Sequence, residues 1–386
     1  MSIFIGIIVG IVALLVLVVV HELGHFIAAR KSGVEVEEFG IGIPPRMKAW
    51  KLKSGMEFSL NWLPIGGFCK MKGESDDAKE PGSFGAASFW GKTKILFSGV
   101  VMNWMAAWLI LMVVAIAGMP HFLDNQYYIA SDAVIVANPV VVRDVVDGSP
   151  AYWAGLRDGH QIISIAGEDI IQPADVNRIV QLHLGQVVKI NYSDPKEETS
   201  SRWTETELAD GSGEYVLGVS TSQEGLPVYK ATWSAPIVAA VTTVQVTGET
   251  VYGVGSILYN LVSGVFKQVN LNEDVRNEGA EEIGQAGDGV AGPVGIVGVI
   301  FPAFYEAGFI NLLFLVAIIS ISLAVMNLLP IPALDGGRWL LIAFYRIRGK
   351  ELPKEKEEKI VGISFICLLG LAVLITVIDV FRLVSW

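Results

Sequence analysis

VVVHELGHFIAARK, residues 18–31, closes an apolar run that begins at Ser2 and holds no ionisable side chain before His21. A run of this length can enter a bilayer as a helix. Ionisable groups at such depth are costly, so His21, Glu22 and His25 are candidates for function before any other residue in the chain. In a helix the two histidines, four residues apart, lie on one face and can aim two imidazole nitrogens at one cation.

The remainder of the 386-residue chain agrees with a membrane setting. It is 52% hydrophobic and only 17% charged, with a mean hydropathy of +0.51, too apolar for an ordinary soluble protein. The net charge of −11 argues against nucleic acid as a partner. Cys69 and Cys367 lie in unlike contexts, so no disulfide framework is implied. The apolar start is longer than a signal-peptide core and lacks a basic leader, so the first segment is expected to be retained. No internal repeat stands out.

Three further stretches are expected to span the bilayer, roughly 95–119, 309–329 and 360–381. The domain plan places the first span in residues 1–30 and a membrane-associated β-hairpin region in 31–92. The second span follows in 93–120 and a soluble domain in 121–225. Amphipathic helices and an acidic linker fill 226–305, the third span 306–342, a basic loop 343–358 and the fourth span 359–386. The fold class is thus a polytopic α-helical membrane protein of about four spans, with one small β-rich domain.

Lys and Arg are dense between Arg30 and Lys94 and again between Arg346 and Lys359, so both clusters are expected in the cytosol. The N-terminus, the soluble domain and the C-terminus then face outward. Residues 232–266 are apolar, but TTVQVTGET interrupts them. One crossing there would move the second basic cluster outside, so bent amphipathic helices on the outer surface are expected instead. The acidic, Gly-rich stretch 270–289 reads as a solvated linker.

HELGH at residues 21–25 is the H-E-x-x-H pattern, in which Glu22 is suited to take a proton from water beside a zinc ion. Catalytic zinc needs a third protein ligand and an open position. His121, His160 and His183 all fall outside the spans. Asp335 in NLLPIPALDGG, residues 327–337, is the strongest candidate. Pro330 and Pro332 unwind the chain there, and unwound backbone at membrane depth is tolerated only in a buried or cavity-lining position.

HELGH in the first span, together with NLLPIPALDGG in the third, resembles the site-2 protease family of intramembrane zinc metalloproteases, of the bacterial RseP type. Residues 39–74, ending LPIGGFCKMKGE, are similar to that type's membrane-associated hairpin region. SGVVMN, residues 98–103, resembles the family's glycine-to-asparagine motif but lacks the proline often found after its glycine. AGPVGIVG, residues 291–298, resembles the segment before the third span. Residues 141–171 resemble a bacterial PDZ domain, with His160 where an aspartate is usual.

The resemblance implies Zn2+ held by His21, His25 and Asp335, with Glu22 as the catalytic base. Asn327 and Asn103 are candidates for hydrogen bonding to substrate backbone or oxyanion, or for joining helices. The expected substrates are single-span membrane proteins, such as anti-sigma factors or signal-peptide remnants, cut in the bacterial cytoplasmic membrane. The hairpin around Lys53-Ser54-Gly55 offers an edge for an unwound substrate strand. The extracytoplasmic PDZ domain is expected either to bind C-terminal peptides or to exclude bulky substrates. A membrane protease with a glutamate as third ligand, a non-catalytic adaptor and a zinc transporter are the competing classes. Asp335 in an apolar span, and Glu22 within the motif, speak against all three.

Overall fold

The computed structural model describes residues 2–123, 125–195, 201–211, 215–268, 270, 272–288 and 291–384. The chain divides into two compact units, one of residues 1–114 and 235–386, the other of residues 115–234.

The first unit opens with α1 (Ser2–Lys31). Thirty residues rise about 45 Å, more than the thickness of a hydrocarbon core. Most of α1 is apolar all round, and its buried residues form a stripe that includes Gly6, Gly10, Leu17, His21, Gly24 and His25. Strands β1 (Val36–Lys51) and β2 (Glu57–Met71) pair antiparallel around the turn at Lys53–Gly55. Both strands bend, so the pair is wider than a simple hairpin. Residues 36–41 pair on one side with 67–71, and residues 38–41 pair on the other with 57–60, which in turn pair with 48–51. The last segment of β2 is therefore an edge, bonded on one side to β1. Helix α2 (Phe89–Ala117) follows.

The second unit is β-rich. After β3 (Met119–Pro120) and β4 (Val134–Val136) come β5 (Val140–Val145), α3 (Pro150–Trp153), β6 (Gln161–Ile165) and β7 (Glu168–Asp169). Then follow α4 (Pro173–Leu182), β8 (Val187–Ser193), β9 (Ser201–Glu207), β10 (Val219–Ser222) and β11 (Val228–Lys230). Antiparallel pairing gives the strand order β10-β5-β6-β8-β9, with β7 beside β6, and a small sheet β3-β11-β4. Val140 and Val142 of β5 and Val188 and Ile190 of β8 alternate inward, and with Ile162 and Ile165 of β6 they meet Val176, Ile179 and Val180 of α4 in one core. His160 stands in the turn before β6. Its Nδ1 accepts a hydrogen bond from the Arg157 backbone N–H at 3.2 Å, so an imidazole can supply the acceptor that an aspartate would.

The chain then returns to the first unit through α5 (Ala235–Gln268), a single helix of 34 residues. The expected break at TTVQVTGET is absent. The hydroxyls of Thr243, Thr247 and Thr250 each donate at 2.7 Å to the carbonyl four residues back, so the polar stretch is satisfied within the helix. Nor is the acidic stretch a solvated linker. Residues Glu273–Asp288 form α6, which packs on α5 where Gly264 and Gly279 let the backbones approach. Lys267 holds Glu278 and Glu282 at 3.3 and 2.9 Å. Local composition read as a linker because the partners lie on another helix. Leu271 and Gly289 of that stretch lie outside the described residues.

A short segment comes next: α7 (Pro293–Gly295), a π-helical turn (Ile296–Ile300) and α8 (Phe301–Glu306). Phe301 and Pro302 fill the grooves left by Gly10 and Gly6 of α1. Helix α9 (Phe309–Leu328) ends before Pro330. After non-helical residues 329–334 come α10 (Asp335–Ile347) and α11 (Lys354–Val384). Gly336 and Gly337 make this return possible, since a Cβ on either would lie 2.4 Å from the Leu328 oxygen or 2.1 Å from that of Ile331. Among the described residues, four helices, α1, α2, α9 and α11, are long and apolar enough to cross a membrane.

Candidate metal centre

Helix α1 sets His21 and His25 one turn apart, with ring centroids 4.8 Å apart and planes at 77°. Asp335, the first residue of α10, is carried to them by the unwound stretch after α9. Its Oδ2 lies 3.1 Å from Nε2 of His21 and 3.3 Å from Nε2 of His25. The two Nε2 atoms are 3.2 Å apart. Both histidines are buried and Asp335 is half-buried.

The spacing can be tested against a metal. Tetrahedral ligands at about 2.0–2.1 Å from zinc stand roughly 3.3 Å from one another, close to all three separations. The Nδ1–H of His25 donates to the Ile95 carbonyl at 2.8 Å, which leaves its Nε2 lone pair aimed at the cluster. Such a hydrogen bond is how metal-ligating histidines are commonly oriented. Two imidazole nitrogens and a carboxylate oxygen at this distance need a proton or a cation between them. Two nitrogens and one oxygen suit zinc and leave one vertex open for water or substrate. The donor set fits.

Helix α2 backs the cluster. A Cβ on Gly99 would lie 2.5 Å from Cε1 of His21 and 2.7 Å from Nε2 of His25. Only a glycine lets this helix pass so close to both rings. On α1, Gly24 plays the reciprocal part against the Ser98 carbonyl, 2.4 Å from where its Cβ would be.

Glu22 is half-buried beside the histidines. The Cys69 backbone N–H donates to its carboxylate, and its Cγ lies 3.5 Å from where a Cβ on Gly67 would be. The edge segment of β2 therefore braces this side chain. In β2, burial pushes the Cys69 thiol up to about 12, with the negative charge of Glu22 adding to it. Between the same edge and the unwound stretch lies a cavity of about 520 Å³, bordered by Lys70, Met71, Glu74, Ala333 and Asp335.

Four of the six residues singled out in the sequence thus stand together: His21, Glu22, His25 and Asp335. Asn103 is fully buried with its amide against His21. Asn327 sits half-buried near the end of α9, and its amide donates to the Leu323 carbonyl at 3.0 Å. The Ile95 carbonyl and the strand behind Glu22 were not legible in the sequence, because backbone groups leave no mark of side-chain type.

The sequence profile described as peptidase family M50 matches residues 9–371. The chain belongs to peptidase family M50. It is a site-2-type zinc metalloendopeptidase, and zinc is its cofactor. A Clostridium perfringens protein whose name describes it as a zinc metalloprotease is 30% identical over 374 residues, covering 97% of this chain and 98% of the relative. The Bacillus subtilis protein named regulator of sigma-W protease RasP is 25% identical over 441 residues, covering 92% and 94%. Within this M50 chain, one stretch is similar to the crystal structure of a PDZ domain from a Listeria monocytogenes SdrC-like protein. The match is 23% identical, covers 22% of this chain and 90% of that one, and has a TM-score of 0.18.

Proposed function

We propose that His21, His25 and Asp335 hold the zinc ion, that Glu22 is the general base, and that the enzyme cuts transmembrane segments of single-span membrane proteins. One observation carries this reading: two Nε2 atoms and a carboxylate oxygen converge at 3.1–3.3 Å beside a half-buried glutamate, where the apolar α1 meets the start of α10. Bound zinc would polarise the scissile carbonyl and make water a nucleophile at neutral pH. Glu22, held by the Cys69 N–H, takes the proton from that water and returns it to the leaving amine.

A transmembrane substrate must lose its helix before its backbone can be cut. The edge at residues 67–71 borders the 520 Å³ cavity, and strand addition there would hold the substrate extended. Asn327 is the candidate for a hydrogen bond to that backbone. The name of the sigma-W relative supports a regulatory single-span protein, such as an anti-sigma factor, as substrate. Charge distribution supports a place in the bacterial cytoplasmic membrane, with residues 115–234 outside as a PDZ domain that admits trimmed substrates or binds their C-termini.

The test is incubation of detergent-solubilised protein with a panel of single-span substrates, with the cut mapped by mass spectrometry. Cuts within transmembrane segments are expected, and Glu22→Gln should keep the metal while losing about 10²–10⁴-fold in rate. Cleavage confined to soluble loops, or full activity in Glu22→Gln, would refute the reading.

A further inference from the structure

Asn103 lies one helical turn beyond Gly99 on α2 and is fully buried. Its Nδ2 is 3.5 Å from Nδ1 of His21, while its Oδ1 is buried without a hydrogen-bond partner. In this orientation the ring nitrogen must be the acceptor, and the ring proton must then sit on Nε2, facing His25 and Asp335. Turning the carboxamide by 180° exchanges oxygen and nitrogen at almost no change of shape. The orphaned oxygen then meets Nδ1, and the ring proton moves there to donate to it. The rotation gives the buried oxygen a donor, leaves the NH2 in the unpartnered position the oxygen held, and frees Nε2 of His21.

We propose that Asn103 is a positioning residue whose Oδ1 accepts the Nδ1–H of His21, keeping Nε2 bare as a zinc donor. This rests on the assignment of His21 as a ligand. The geometry of α2 supports it independently. Ile95, Gly99 and Asn103 fall at i, i+4 and i+8, on one face of the helix. The Ile95 carbonyl orients His25, Gly99 makes room for both rings, and the Asn103 carbonyl orients His21. The two imidazoles are thus held alike, one by a backbone oxygen and one by a side-chain oxygen. The Asn103 turn is itself anchored, since the Ser320 hydroxyl on α9 donates to the Asn103 backbone carbonyl at 2.8 Å.

Two near-isosteric variants separate the oxygen from the amide. Asn103→Asp keeps an acceptor and loses the NH2 donors; Asn103→Leu loses both. Zinc affinity of the full-length protein in detergent is measured by chelator competition, alongside thermal unfolding of the metal-free form and histidine-selective 15N NMR of the zinc-loaded form. With five histidines in the chain, the His21 signal is assignable by its loss in His21→Ala. Asn103→Leu should bind zinc about 10–100-fold more weakly, whereas Asn103→Asp should stay within about threefold of the parent. The parent and Asn103→Asp should both show His21 protonated at Nδ1.

Leucine binding as tightly as asparagine overturns the proposal, as does aspartate binding as weakly as leucine. If Asn103→Leu does not fold, the aspartate affinity and the parent's tautomer still decide. His21→Ala with undiminished affinity would sink the ligand assignment itself. Affinity that depends on His21 but is indifferent to Asn103 sinks only the positioning role.

Discussion

Nε2 of His21 lies 3.1 Å from Oδ2 of Asp335, although 314 residues separate them in the chain. Two spans, a bent hairpin and the whole second unit intervene. The contact forms because α9 stops before Pro330 and the chain turns back through Gly336–Gly337, presenting the first residue of α10 to α1.

Asp335→Ala should therefore remove a ligand without disturbing insertion of α9. Zinc affinity is expected to fall by more than the roughly 10–100-fold typical of a residue that only supports a ligand, with proteolysis lost in parallel. Metal content of purified protein, beside a membrane-fractionation control, checks this. Unchanged zinc would place the third ligand elsewhere.

Gly99→Ala tests the approach of α2. Alanine is about 1 kcal/mol better than glycine in an exposed helix interior. Here its Cβ would stand 2.5 Å from His21 and 2.7 Å from His25, and that overlap should outweigh the helix preference. Destabilisation of about 1–3 kcal/mol and weaker zinc binding are expected together. A variant as stable and as metal-tight as the parent would show that the helices can separate freely.

A buried ionic network holds α10 from behind. Lys92 Nζ and Asp76 Oδ1 lie 2.5 Å apart, with side chains 9% and 7% exposed. Asp76 also accepts the Leu352 N–H at 2.9 Å and donates its own N–H to Glu357 at 3.0 Å. Glu357 in turn accepts Arg338 Nε of α10 at 2.8 Å. Lys92→Met leaves Asp76 buried without its counter-charge and should cost about 3–5 kcal/mol. Chemical unfolding in detergent measures it, and a change below about 1 kcal/mol, the level of an exposed pair, would contradict the burial of this pair.

Asp132 gives the second unit a pH dependence. Burial alone would raise its carboxyl. Hydrogen bonds from the hydroxyls and backbone N–H groups of Ser234 and Thr232 outweigh this and hold it well below the usual carboxylate range. Because the folded value is lower than the unfolded one, this stabilisation is complete above about pH 4 and is lost as pH falls through the folded value. Hydrogen-exchange protection at residues 228–234, corrected for intrinsic rate, should decline as pH drops below about 4. Asp132→Asn should flatten that decline; an equal decline in the variant would assign it to another group.

HELGH announced itself because three ionisable residues in an apolar run cannot be ordinary membrane filling, and a spacing of four fixes their common face. Asp335 was legible for a related reason: two prolines and two glycines beside an acid cannot be a continuing helix. Helix α5 was misread because a threonine's hydrogen bond to its own helix is invisible in composition. Helix α6 was misread because its glycines and acids find their partners on α5. The sequence thus determined which groups could do chemistry, since their cost in an apolar span is a local property. Tertiary structure alone decided the order of the bent sheet, the edge behind Glu22 and the carbonyl and carboxamide that face the imidazoles. Those depend on backbone atoms and close approaches between distant segments, which no single stretch of residues encodes.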